Sequence, residues 1–308
     1  MKKYFKLIVH PTDLILTLAA HGLLPFLSDA RFLKLKFKKR IGNKLNLKNP
    51  VTFNEKLQWL KLYDRNPEYT KMVDKYAVKN YVASIIGEEY IIPTLGVWDS
   101  FDDIDFNKLP NQFVLKCTHD SGGIVICKDK STFDIAEARK KLNHALKMNF
   151  YLISREWPYK DVVPRIIAEQ YIDSPGKVVP EDYKVYCFGG KPYYIVVFHN
   201  RFNESQQLSE TVYDINWEPQ HVSLDEHFQI CDTVEPRPVC FEKLLAFSEK
   251  LSVGIPQSRI DFYILNDKIY FGEITLYTAS GFQKMIPEEL DKELGSLIDL
   301  SVLRNTTI

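Results

Sequence analysis

Hydrophobic positions along the chain switch between a helical and a strand period, and the switches mark out its elements. Residues 7–27 are apolar, and 31–48 form a basic run, RFLKLKFKKRIGNKLNLK, in which large apolar side chains interleave with lysines. That run predicts a helix lying on an anionic surface or a helical appendage with solvated lysines. Thr52-Phe53-Asn54-Glu55 has the form of a capping box and opens a helix with Phe53, Leu57 and Leu60 on one face. Tyr69, Met72, Val73 and Tyr76 at helical spacing predict a second helix that stops at Gly87. From Gln112 the period shortens: Phe113–Cys117 and Ile124–Cys127 read as strands around His119-Asp120-Ser121-Gly122-Gly123. Ile135, Ala138, Leu142 and Ala145 then share a helix face, and Ile166–Ile172 is a further strand. Two hairpins follow, Tyr183–Phe188 with Tyr193–His199 across Gly189-Gly190, and Arg259–Leu265 with Lys268–Thr275 across Asn266-Asp267. Residues 203–240 give no clear period. Antiparallel hairpins separated by helices predict an α+β fold.

Composition alters this picture mainly through charge. The 308 residues hold 40 Lys and Arg against 40 Asp and Glu, yet the first 61 carry 13 basic and three acidic side chains. The remainder is correspondingly acidic, so the N-terminal segment is electrically distinct from the body. Five cysteines without a CxxC pair argue against a disulfide framework or zinc site and suit a reducing cytoplasm. The longest uncharged apolar stretch, Leu14 to Ser28, is shorter than the ~20 residues of a spanning helix.

Three clusters offer chemistry. In the last hairpin, Arg259 and Asp261 share a strand face, and Asp261 lies about one register step from opposite Glu273. Adjacent like charges call for a cation between them, which is either Mg²⁺, commonly held by one or two carboxylates plus phosphates, or Arg259 itself. Lys116 interrupts an apolar strand just before a Gly-rich turn whose backbone N–H groups suit phosphate, a plausible clamp beside the simpler reading of a snorkelling edge lysine. Asp182 and Lys184 share a strand face near Arg201. No Walker A loop or GxGxxG element is present, and the histidines show no metal-ligand spacing.

The order of these parts resembles the ATP-grasp superfamily. TFNEKLQWLKLYDR, Asp74-Lys75, FVLKCTHDSGG, EDYKVYCFGGKP and RIDFYILNDKIYFGEITLYTASG are similar to the TupA-like ATP-grasp family, from about Leu45 to about Pro287. That resemblance implies two α+β lobes clasping ATP behind a helical basic N-terminal extension: 1–65 for the extension, 66–164 for one lobe and 165–308 for the other. It implies an ATP-dependent carboxylate–amine ligase that works through an acyl phosphate, with ATP and Mg²⁺ as cofactors. By position, Lys75 and Lys116 would contact the nucleotide, Ser121, Gly122 and Gly123 would cover its phosphates, Glu169 would meet the adenine and Asp182 the ribose. Lys184 and Arg201 would face the γ-phosphate or the acceptor carboxylate, and Arg259 the transferring phosphoryl group. Asp261 and Glu273 would hold the metal with Thr275, at a position that is usually Asn in the superfamily. The expected partners are a small amine or amino acid and a uronic-acid-containing glycan or precursor, without nucleic acid. The expected location is cytoplasmic, with peripheral contact to the inner membrane through residues 1–50. Two other classes stay open: a glycosyltransferase using Asp102-Asp103-Ile104-Asp105 as a nucleotide-sugar metal motif, and a non-catalytic membrane-surface scaffold.

Overall fold

A computed structural model describes residues 11–174, 180–199, 208–231 and 234–304. The strand periods become two sheets. Strands β1 (Thr94–Trp98), β2 (Phe113–Cys117), β3 (Ile124–Cys127) and β4 (Ile166–Gln170) form an antiparallel sheet in the order β1-β4-β2-β3. The larger sheet runs β11 (Lys268–Thr275), β10 (Gln257–Leu265), β5 (Glu181–Phe188), β6 (Lys191–His199), β7 (Ser209–Asp214), β8 (Pro219–Gln220). Within it β9 (Gln229–Ile230) pairs parallel with β7, so the region without a clear period supplies short edge strands. The fold is α+β, with helices packed on antiparallel sheets.

Both long hairpins turn on two residues with positive φ, Gly189 (56°) with Gly190 (83°) and Asn266 (49°) with Asp267 (59°). That backbone matches the twist of the flanking strands. In the second hairpin a bulge after Asp261 shifts the register by the one step that simple counting left over. Asp261 is therefore directly opposite Glu273, with Gly272 as the extra residue. A Cβ on Gly272 would approach the Asp261 carbonyl oxygen to 3.0 Å, so a side chain there would crowd the close strand contact.

Helices α1 (Pro11–Ala20) and α2 (Asp29–Ile41) precede α3 (Phe53–Tyr63), α4 (Glu68–Val73) and α5 (Ala77–Ile86). Thr52 and Glu55 complete the expected capping box of α3, each side chain accepting from the other's backbone N–H. The single helix expected over 69–86 is two, because Asp74 Oδ1 accepts from the N–H groups of Tyr76 and Ala77 and starts a new helix. This break turns the chain at Lys75, whose N–H bonds to the Thr118 carbonyl beside the β2–β3 turn.

The cores divide the chain differently from the expected ranges. Strand β4, placed by sequence in the last lobe, belongs to the small sheet, whose core (Phe113, Leu115, Ile166, Ala168) closes against Ala138, Leu142 and Ala145 of α6 (Ile135–Leu146). Helices α4 and α5, expected in the other lobe (66–164), bury Met72, Val73, Val78 and Val82 in the core of the large sheet. Nor is the N-terminal segment an appendage. Phe32, Leu33 and Phe37 of the basic helix are buried, and Lys36 donates to the Ile153 carbonyl and lies over the Phe282 ring. The other basic side chains Arg31, Lys34, Lys38 and Arg40 stay exposed, with Leu23 and Phe26. Among the described residues no helix is long and apolar enough to cross a membrane.

Candidate active site

The crevice between the two sheets holds two adjoining cavities, of about 420 Å³ and about 370 Å³. Their shared wall is made by Lys75, Asp120, Ser121, Lys184 and Glu273. The larger is lined also by Lys116, Gly122, Gly123, Glu169, Asp182 and Asp261; the smaller by Arg259 and Thr275. Every described residue to which the resemblance gave a role thus lines one crevice. Arg201 lies outside the described residues.

Strand alternation builds the floor of the larger cavity. Lys116 on β2 does not snorkel: its ammonium lies 2.5 Å from Glu169 of β4, which also pairs with Lys79 of α5 at 2.7 Å. Burial by itself would depress the Lys116 pKa, but Glu169 more than reverses it, so this ammonium is firmly charged. Burial would likewise raise the Glu169 carboxyl, yet Lys116 and Lys79 hold it below its ordinary range. The carboxylate that the resemblance gave to adenine is therefore engaged by two lysines, and it fixes Lys116 in place. Sequence reasoning passed over Lys79; its signal was a lysine on the apolar face of α5, which also carries Val82 and Ile86.

Between the cavities the β5, β10 and β11 strands line up a charged row. Asp261 accepts from Lys184 at 2.5 Å and from the Arg259 Nε and guanidinium nitrogens at 2.6 and 2.7 Å. Lys184 also meets Asp182 at 2.8 Å, and Arg259 reaches Glu273 at 3.1 Å. The cation between Asp261 and Glu273 is thus Arg259. Burial opposes ionisation of Asp261, but Arg259 and Lys184 keep its carboxyl below the usual range. Glu273, with 42% of its side chain exposed, opens to both cavities and accepts from the Thr275 hydroxyl at 3.2 Å. Among the described residues no group of three or more His, Cys, Asp or Glu side chains is arranged around a metal position. Two carboxylates side by side with a hydroxyl nonetheless fit the partial donor set of a Mg²⁺ whose other ligands are phosphate and water.

The β2–β3 turn stands over this row. Gly123 N–H donates to the Asp120 carboxylate at 2.9 Å, Gly122 has φ 131°, and Ser121 and Gly122 are exposed at the cavity mouth. The Lys75 ammonium donates to the Asp120 carbonyl, which ties the α4–α5 break to the turn. The Asp102-Asp103-Ile104-Asp105 run lines neither cavity; Asp102 pairs with Arg139 and Asp105 caps Asn107.

Sequence reasoning also missed the support of the smaller cavity. Lys61 of α3 is wholly buried and bonds to the carbonyls of Ser154 and Ser280, in a cluster with Gln58, Glu156 and Ser280. Its signal was a lysine four residues after buried Leu57, on the helix's apolar side.

No curated protein matches the chain. Solved structures overlap it loosely. The D-alanine–D-alanine ligase of Bacillus anthracis is 18% identical over 76% of this chain and 69% of that one, with a TM-score of 0.42. The ligase of the same name from Helicobacter pylori is 14% identical over 82% and 70%, at 0.41. A RimK domain ATP-grasp protein from Sphaerobacter thermophilus is 11% identical over 77% and 70%, at 0.42. Overlaps this loose carry no argument about chemistry. The sequence match is decisive: residues 55–299, well over half of the chain, fit the family described as TupA-like ATPgrasp, and the protein belongs to that family.

Proposed function

We propose that the protein is an ATP-dependent amide ligase that joins a small amine or amino acid to the carboxylate of a hexuronic acid in a surface polysaccharide or its precursor. The observation that carries this reading is the pair of cavities meeting at Lys75, Ser121, Lys184 and Glu273. A ligase needs a nucleotide and a carboxylate brought together at one phosphorus atom, with charge neutralised around it.

ATP occupies the larger cavity, its phosphates toward Lys116 and the Ser121-Gly122-Gly123 turn, its ribose toward Asp182. Mg²⁺ held by Asp261 and Glu273 would neutralise phosphate charge. Arg259 and Lys184, which this carboxylate pair now holds, face the transferring phosphoryl group and the acceptor. A carboxylate oxygen of the acceptor attacks the γ-phosphorus, the bond to the bridging oxygen breaks, and ADP leaves. The amine nitrogen then attacks the acyl carbon, phosphate departs, and the nitrogen gives up its proton. The turn over the shared wall excludes water from the acyl phosphate. A glycosyltransferase reading finds no support at the acidic run 102–105, which lies away from both cavities.

The N-terminal helices support a cytoplasmic enzyme seated on the anionic inner face of the membrane. Arg31, Lys34, Lys38 and Arg40 are exposed, while Asp13 and Asp29 are paired with Lys39 and Arg155. Exposed Leu23 and Phe26 supply apolar anchors at the turn between the helices. Coupled ADP release tests the ligase reading: it is expected only with uronate and amine together, and its absence across a panel of both, in protein that binds ATP, refutes it.

A further inference from the structure

Charge in the smaller cavity is unbalanced. Among the described residues its wall carries five carboxylates, Asp120, Glu156, Glu210, Asp225 and Glu273, against three cations, Lys75, Lys184 and Arg259. Those cations are engaged within the protein: Lys75 on the Asp120 carbonyl, Lys184 on Asp182 and Asp261, Arg259 on Asp261 and Glu273. The Asp120 carboxylate in turn accepts from the Gly123 N–H, and Glu156 accepts from the Ser280 hydroxyl beside buried Lys61. Glu210 and Asp225 have no lysine or arginine partner among the described residues; Asp225 meets the exposed His227 imidazole at 2.6 Å.

The large sheet positions Glu210. Lys184 of β5 is opposite Val196 of β6, and Val196 is opposite Val212 of β7, so Glu210, two residues before Val212, shares the sheet face of Lys184. One strand lies between them, a separation of about 10 Å at the ordinary strand spacing. Phe198 stands in that gap, opposite Glu210, with the Lys184 ammonium 5.6 Å from its ring centre and Phe228 packed edge-on against it at 5.0 Å. The Ser223 hydroxyl and the Leu224 N–H both donate to Glu210 Oε1, at 2.6 and 2.8 Å. No described residue bonds Oε2, and neither oxygen is both sealed from solvent and unpaired, so Oε2 opens on the cavity. Burial raises the Glu210 pKa, and Asp225 adds to that rise.

A buried carboxylate with one oxygen anchored and the other unanswered, beside a second carboxylate, calls for a cation from outside. The Phe198 and Phe228 rings suit an ammonium, which is attracted to aromatic faces. A metal ion fits poorly, since among the described residues no group of three or more His, Cys, Asp or Glu side chains surrounds a metal position. A single ammonium held there would also stand too far from the chemistry, because Lys184 and Arg259, at the reacting end, lie two or more strands from Glu210. We propose that the smaller cavity binds the amine donor as a dication, a diamine or a basic amino acid, with one ammonium held by Glu210 and Asp225 against Phe198 and Phe228 and the other nitrogen delivered to the Lys184 end, where it attacks. This rests on the ligase reading and names the class of its amine.

The test compares the full chain with Glu210→Gln, Asp225→Asn and the double variant. Calorimetry measures binding of putrescine and lysine against their one-amine counterparts, butylamine and norleucine, in the presence of a nonhydrolysable ATP analogue whose own Kd is measured first. The wild type is expected to bind at least one dication 10-fold or more tighter than its counterpart, and Glu210→Gln to lose most of that preference. Glutamine keeps an acceptor for Ser223 and Leu224, so the melting temperature should hold or rise as a buried charge is removed. Nucleotide affinity should stay within twofold, because neither residue lines the larger cavity. Equal binding of dications and counterparts, binding of neither dication, or a preference that survives in the double variant would overturn the proposal and leave the ligase reading standing. Loss of preference only together with a fall in melting temperature in all three variants would mark a structural role and overturn it as well. Failure of the wild type to bind the nucleotide analogue would instead overturn the ligase reading itself.

Discussion

Changing Glu169 to Gln keeps the size of the side chain and removes the single charge that holds two buried ammonium groups. Lys116 and Lys79 lie 2.5 and 2.7 Å from that carboxylate, and both lysine side chains are largely buried. Breaking a buried pair from one side costs about 3–5 kcal/mol, since the remaining charge is uncompensated. Here two charges are orphaned, although Lys79 keeps its 2.6 Å bond to the Ile92 carbonyl. At ~2–4 °C per kcal/mol for a chain of this order of size, the melting temperature should fall by roughly 6–20 °C. The pH dependence carries the sharper signature. In the wild type the Glu169 pKa is depressed, so its contribution is present above the ordinary carboxylate range and is lost as pH falls through the lower folded value. Without that carboxylate, burial lowers both lysine pKa values, the unfolded chain binds more protons, and stability climbs as pH rises toward the ordinary lysine range. Adding Lys79→Met removes one orphan and should recover a substantial part of the loss. Thermal melts from pH 5 to 9.5 on the single and double variants provide the measurement. A Glu169→Gln protein that melts within a degree of the wild type, or shows no gain with pH, refutes the reasoning, as does an additive double variant.

Other consequences are equally direct. Asp261→Asn removes the carboxylate shared by Lys184 and Arg259, leaving them Asp182 and Glu273, and should cost about 3 kcal/mol in urea unfolding; Glu273→Gln, on a half-open side chain, should leave stability nearly unchanged. Both should lower ADP release by roughly 100-fold or more, and retained turnover would remove the metal assignment. Gly272→Ala places a Cβ 3.0 Å from the Asp261 carbonyl oxygen and should cost about 1–3 kcal/mol while weakening nucleotide binding, measured by melting and titration. Burial pushes the Lys61 pKa down to about 7 against the pull of Glu156. Since the unfolded chain binds the extra proton, this lysine makes stability rise with pH between about 7 and its ordinary value, and Lys61→Met should flatten that slope in urea midpoints. Leu23→Glu with Phe26→Glu, and separately Lys34→Glu with Lys38→Glu, should abolish flotation with phosphatidylglycerol vesicles. Binding that survives both pairs, or that appears equally on neutral vesicles, would refute the membrane seat.

Much of the chain was legible before folding because its signals are local. The Thr52-Glu55 capping box, the paired left-handed residues at 189–190 and 266–267, and the period-2 runs depend on side chains a few residues apart. A family match carried the order of the site residues, and every described one lines the crevice. Sequence periodicity named Lys116, Asp261 and Glu273 as costly or crowded charges, which was correct as far as it went.

What relieves those charges is non-local, and only the tertiary structure decided it. Lys116 meets a carboxylate from β4 and Lys79 shares it from α5, elements separated by tens of residues. A bulge at Gly272, invisible to simple counting from the turn, sets Asp261 squarely against Glu273. Asp74 breaks one apparent helix into two and so aims Lys75 at the β2–β3 turn. Lys61, on the apolar side of α3, finds its partners only once that helix packs beneath the loop at 278–283. The sequence by itself determined which elements form and which charges need an answer, because propensity, capping and turn chemistry act over a few residues. Which charge answers which was set by the packing of two sheets and α3, because Coulomb and hydrogen-bond partners are chosen by distance in space.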